Sequence, residues 1–223
     1  MSALEETDWT DEAGDDQMAP PQSRRAYKRR ITYLYAAMRC IRKLGAPAAT
    51  MEAIAAEAGV TRATIYREFS SRSSMLGAVT AHRFERFCHR FFARISPDTT
   101  LAEKLEMYFL ASVMIALRNP VTQELVRGSL LFTVPGRPLH VIASRVWRDS
   151  LALARKDEPN LDTLDDEDIV QWILVSQVTI CRLALDTKMP LPRLRRYVRR
   201  FVLPAFGKRG PADADFSRML RQA

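Results

Sequence analysis

Residues 59–69, Gly-Val-Thr-Arg-Ala-Thr-Ile-Tyr-Arg-Glu-Phe, bring together a turn glycine, a helix-start hydroxyl, two arginines and a tyrosine. If the segment is helical, Ile65 and Phe69 share a face and point inward, which leaves Thr61, Arg62, Ala63, Thr64, Tyr66 and Arg67 outward. A short basic helix with threonine hydroxyls and no acid before Glu68 suits the major groove of duplex DNA, where its first residues reach base edges. No comparable pattern points to catalysis. The chain carries no Gly-rich phosphate loop, nucleophile elbow or plausible triad, and its three histidines offer few bases, so it is not expected to be an enzyme. His82, Glu85 and His89 recur at i, i+3 and i+7, but two histidines two turns apart are poorly placed for one ion. Neither a metal nor a cofactor is expected.

Charge agrees with a polyanionic partner. The 223 residues carry a net charge of +8, distributed unevenly. Residues 1–20 hold seven acids and no base, whereas residues 21–95 hold fifteen Lys or Arg against four Glu. Clustered cations attract phosphates and gain free energy by releasing counterions. Cys40, Cys88 and Cys181 lie far apart in sequence, which argues against a disulfide framework and fits a reducing cytoplasm. No apolar run approaches the roughly 20 residues of a membrane span, because Gln171, Ser176 and Gln177 interrupt the greasiest stretch, Ile169–Ile180. A cytoplasmic protein with no membrane partner is therefore the expectation.

The elements that must position the basic helix read as follows. Residues 1–22 have no apolar periodicity and read as a disordered acidic tail. From Arg24 a helix is predicted, with Ile31, Leu34, Met38 and Ile41 on one face, stopped by Gly45 and Pro47. Thr50 caps a second helix over Met51–Ala58, and Gly59 ends it. Thr61 caps a third to about Phe69, with Val60 plugging the core between the two; Ser70 or Ser71 opens a fourth, with Met75, Val79, Phe84, Phe87 and Phe91 apolar. Further helices are expected over about 100–118, 121–131, 139–156, 166–187 and 192–206. With no period-2 strand signal, the fold class is all-α: a helix-turn-helix domain over 23–72, a second helical domain over 73–206, and a flexible tail over 207–223.

The residues Ala36-Ala37, Gly45, Thr50, Ile54-Ala55, Ala58-Gly59-Val60-Thr61, Tyr66, Phe69, Arg72 and Met75-Leu76 form an ungapped pattern over about residues 25–80. In it the chain resembles the TetR family of transcriptional regulators. Three positions depart from that pattern: Arg72 stands for the usual lysine, Glu68 for an aromatic or histidine, and Ala46 for the aromatic after the glycine. The resemblance implies that Thr50, Tyr66, Arg67 and Arg72 contact phosphates and that Thr61, Arg62, Ala63 and Thr64 read bases. Arg62 can give two hydrogen bonds to guanine, and the methyl of Ala63 or Thr64 can meet that of thymine. Arg24 and Arg25, ahead of the first helix, can form an arm into the minor groove. Glu68 would repel phosphate unless it pairs with Arg67 or Arg72.

In the C-terminal two-thirds, Asp168–Leu185 is apolar on more than one face and must be covered on two sides. The next helix carries Leu191, Leu194, Val198, Phe201 and Val202 on one face and Arg193, Arg195, Arg196, Arg199 and Arg200 on the other. The resemblance implies that 73–206 is a helical ligand-binding and dimerisation domain, whose last two helices pair with their counterparts in a homodimer that reads a near-palindromic operator in double-stranded DNA. The expected function is a sequence-specific transcriptional regulator, a repressor released by an unknown small hydrophobic effector. The alternative is a ligand-independent DNA-organising protein with weak sequence preference. Candidate pocket residues are Met107, Phe109, Leu110, Met114 and Leu131, together with Phe132, Trp147, Trp172 and Gln177.

Overall fold

The computed structural model describes residues 21–127, 138–157, 161 and 164–206. The acidic and C-terminal tails, together with Leu131 and Phe132, lie outside the described residues. The described residues contain no strand.

The first core is built from the first three helices, the start of the fourth and the sixth. α1 (Pro21–Leu44) buries Tyr33, Leu34, Ala36, Ala37, Cys40 and Ile41. Its alanines let α2 (Met51–Glu57) and α4 (Arg72–Phe92) approach closely, and Ile31 and Met38 pack at the margin. α2 contributes Met51, Ile54 and Ala55; α3 (Arg62–Glu68) contributes Ile65, and Phe69 follows at its C-cap. Capping fixes where each begins. The hydroxyls of Thr50, Thr61 and Ser71 accept the backbone N–H groups of Ala53, Thr64 and Ser74, three residues on.

The second core collects α5 (Leu101–Arg118), α7 (Pro138–Asp157) and α8 (Asp166–Thr187) around the C-terminal half of α4. Thr100 and Glu103 form a reciprocal capping box at the start of α5. α6 (Pro120–Arg127) joins the two cores: Val121 and Leu125 enter the first and Val126 the second. By packing it belongs to the helix-turn-helix unit as much as to the helical body.

Two expectations change. The helix anticipated over 192–206 is present without a gap but changes its winding, from α9 (Leu191–Tyr197) through a π-helical turn (Val198–Val202) to a 3₁₀ turn (Leu203–Phe206). Pro204 has no N–H to give and Leu203 bonds back to Val198, so the chain rewinds. Leu194, Val198 and Val202 still face the core, but Leu191 and Phe201 are exposed. α8 is, by length and composition, long and apolar enough to cross a membrane, contrary to the expectation from its interrupting polar residues. Much of that apolarity is buried within the fold, through Ile169, Val170, Ile173, Leu174 and Ile180 against α5 and α7.

Candidate nucleic-acid interface and effector core

Gly59 turns the chain between α2 and α3 at φ +68°, a left-handed conformation that side chains disfavour. The turn presents α3 with Ile65 and Phe69 fully inside and Thr61, Arg62, Ala63, Tyr66 and Arg67 exposed; Thr64 is half-buried. Thr61 and Thr64 join their hydroxyls at 2.9 Å. Arg62 lies over the Tyr66 ring, 5.1 Å from its centroid, and its Nε is 2.9 Å from the Glu52 carboxylate on α2. Both partners of that ion pair are more than half exposed, so it contributes little and holds the guanidinium loosely.

Glu68 is paired, though not with Arg67 or Arg72. It accepts from Arg30 at 3.1 Å and lies 3.7 Å from Arg29, which ties α3 to α1, while the Arg30 guanidinium covers the Phe69 ring. Arg72 donates through Nε to the carbonyl of Ala49 at 3.0 Å and through a second nitrogen to that of Ala46. It therefore clamps the α1–α2 loop. Arg24 and Arg25 lie within α1, because the helix already begins at Pro21. The expected arm is in this structure a helical extension: a run free of Gly and Pro from Gln22 to Leu44 sustains helix into it.

Polar contacts cross between the two cores. The Ala46 N–H donates to Glu124 of α6 at 3.2 Å, and Arg83 of α4 donates to Thr122 of α6 at 2.6 Å. Arg83, Thr122 and Glu124, outside the recognised pattern, carry no signal that sequence spacing reveals.

The second core contains a buried polar group of its own. The Tyr108 hydroxyl donates to Gln177 Oε1 at 2.7 Å, and the Gln177 amide donates to Ser112 at 3.0 Å. The Tyr108 ring packs at 5.2 Å on Trp147, whose indole Nε1 is buried without a partner. Burial pushes the Cys88 and Cys181 thiols up to about 12 and holds Tyr108 well above its usual range, so these groups stay protonated. Of the pocket candidates, Phe109 and Trp147 are fully buried, and Leu110, Met114 and Gln177 are half-buried. Met107 and Trp172 instead face outward at 38% and 47% exposure. At 100° per residue each falls off the stripe its helix buries: Leu105, Tyr108 and Phe109 on α5, Ile169, Val170 and Ile173 on α8. Tyr108 and Ser112 are the members that sequence spacing missed.

Together these features define a helix-turn-helix protein whose reading head rests on a second, helical domain. Residues 34–79 match the family of bacterial regulatory proteins, tetR family. Over that stretch, which runs from the second half of α1 through α2 and α3 into α4, the chain is similar to that family. No curated protein matches the sequence. Among solved structures it is similar to the TetR family repressor AlkX from Dietzia sp. strain DQ12-45-1b, implicated in biodegradation of n-alkanes: 19% identity, 79% of this chain and 94% of that one, TM-score 0.59. A TetR transcriptional regulator from Rhodococcus sp. RHA1 aligns at 15% identity over 82% and 99% of the two chains, TM-score 0.58. RolR in complex with its ligand resorcinol aligns at 16% identity over 78% and 89%, TM-score 0.55. At these identities the likeness is one of fold.

Proposed function

We propose that the protein acts as a homodimer on a near-palindromic operator in duplex DNA and is a repressor released by a small hydrophobic ligand. The observation that carries this reading is the exposed face of α3, with Thr61, Arg62, Ala63 and Thr64 at its leading end. These four read bases, while Thr50, Tyr66 and Arg67 contact phosphates and fix the register. Arg72 adds a phosphate contact from the edge of the reading head once a hydrogen bond to the loop is exchanged. Arg24 and Arg25 add positive charge at the start of α1.

The outward faces of α8 and α9 meet their counterparts across a two-fold axis. Trp172, Leu191 and Phe201 stay exposed in the single chain although they are large and apolar. The effector enters the α5–α7–α8 core, where Phe109, Leu110 and Met114 give apolar contact and Gln177 and the unpartnered Trp147 indole give hydrogen bonds. The resorcinol held by the similarly folded RolR supports a ligand of that size. Movement of α4 and α6 then alters the separation of the two reading heads, and linkage lowers DNA affinity.

The test is footprinting on the DNA flanking the protein's own gene, with random duplex as competitor, alongside sedimentation. A short protected near-palindrome and a dimer are expected; a single chain at working concentration, or equal affinity for random duplex, overturns the reading.

A further inference from the structure

Between α1, α4 and the start of α6 lies a cavity of about 270 Å³, apart from the α5–α7–α8 core. Its apolar walls are Tyr35 and Met38 on α1 and Pro120 and Val121 on α6. Its polar lining is cationic, with Arg39 and Arg42 from α1 and Arg83 and Arg86 from α4, and His82 of α4 adds an imidazole. Asn119 completes the lining, and no Asp or Glu contributes to it. Glu57, the acid nearest Arg39, accepts from both Arg39 and Lys43.

The His82 ring packs edge-on against Tyr35, yet one nitrogen of His82 and one of Arg86 lack a hydrogen-bond partner. His82 Nε2 and Arg86 Nε are both buried and neither makes a hydrogen bond. A buried N–H without an acceptor is costly, and a guanidinium N–H more so. The positive end of the α6 dipole opens on the same space, since Pro120 and Val121 are its first residues. Burial and the adjacent Arg86 hold the His82 imidazole below its ordinary range, so at neutral pH it offers a hydrogen-bonding ring.

We propose that this cavity binds a compact organic anion, a carboxylate on a small apolar body, which Arg86, His82 and Arg42 hold against Tyr35, Met38 and Val121. The carboxylate supplies the acceptors that Arg86 and His82 lack, and the apolar body fills a space that a bare inorganic ion leaves open. Because α1 belongs to the reading head and α6 spans both cores, the anion fastens the two together at a place distinct from the hydrophobic effector core. Charge and polarity separate the two classes of ligand.

The experiment is calorimetric titration of the full-length, DNA-free protein with benzoate, its neutral isostere benzamide, and inorganic phosphate. Saturable benzoate binding is expected, with benzamide weaker by roughly tenfold to a hundredfold, the range of a lost charge-assisted hydrogen bond. Arg86→Met is expected to weaken benzoate by a similar factor while leaving benzamide unchanged. Arg42 is exposed at the cavity edge, so Arg42→Gln tests the same site without disturbing a buried side chain, and circular dichroism checks the fold of both variants. Slower amide exchange over 33–42 and 119–126 on adding benzoate is the matching local readout. Equal affinity for benzoate and benzamide, no saturable benzoate binding, or benzoate binding indifferent to both substitutions overturns the proposal. Phosphate binding as tight as benzoate overturns the organic part of it. None of these readouts uses DNA, so they stand or fall apart from the operator reading.

Discussion

Arg62 is held from two sides, by the Tyr66 ring and by Glu52, and both holds are at the surface. The ring contact and the weak surface ion pair leave the guanidinium at the exposed face of α3, and on the proposed reading it exchanges the carboxylate for a guanine edge. Arg62→Ala is expected to relax sequence preference at one base-pair position per half-site and to cost about 1–3 kcal/mol there, measured by binding to operator variants. Unchanged preference would sink its base-reading role. Arg72 is a different kind of residue, since two of its donors hold the carbonyls of Ala46 and Ala49. Arg72→Ala should lower stability by about 1–3 kcal/mol in denaturant melts of the DNA-free protein, because a buried carbonyl is left unpaired. A lysine there has one nitrogen for two carbonyls, so Arg72→Lys should restore only part. No stability change in either variant would return Arg72 to a purely DNA-facing role.

Among the helices, the α5–α9 junction depends on one carboxylate. Glu106 is nearly buried and accepts from Arg195 and, at 2.8 Å, from Arg199. Burial pushes its carboxyl up, but the hydrogen bonds from Arg199 and Arg195 outweigh burial and hold it below the usual carboxylate range. A depressed folded value contributes stability above the ordinary glutamate pKa of about 4.3, and that contribution fades as pH falls through the lower folded value. Glu106→Gln should therefore melt below the native protein at pH 7, with the gap closing as pH falls below the ordinary glutamate pKa of about 4.3. A gap that stays constant across that range shows the pair to be electrostatically idle. α3 shows how little of an element's role propensity decides. Its seven residues are too few to hold as an isolated helix, so the Thr61 cap, Ile65, Phe69 and the Glu68–Arg30 tie fix it to the body.

For the molecule as a whole, any coupling between the two cores runs through the elements they share. α6 spans both, with Glu124 holding the Ala46 N–H and Thr122 holding Arg83. Glu124→Ala is expected to leave effector affinity nearly intact while reducing the effector's effect on DNA affinity by about fivefold or more, read from a thermodynamic cycle of the two ligands. Full coupling in that variant would move the connection to α4 alone. The exposed Trp172 on α8 gives a test of assembly: Trp172→Glu should shift sedimentation toward a single chain and weaken operator binding with it. A fully dimeric variant would place the two-fold axis elsewhere.

Much of the reading head was legible in the sequence because its signals are local. Caps at Thr50 and Thr61, glycines that take positive φ at 45 and 59, and the inward pair Ile65 and Phe69 act within a few residues of one another. The family pattern added roles that spacing alone did not carry. Contacts between segments distant in the chain were decided only by folding: Glu68 with α1, Arg72 on two carbonyls, Glu124 and Thr122 across the cores, and Tyr108 with Gln177. Periodicity states which face of a helix is apolar, but not which neighbour covers it. So Met107 and Trp172 read as pocket residues and stand outside, while the cationic cavity beside α1 left no trace in the sequence, because its walls come from three helices that only the packed chain brings together.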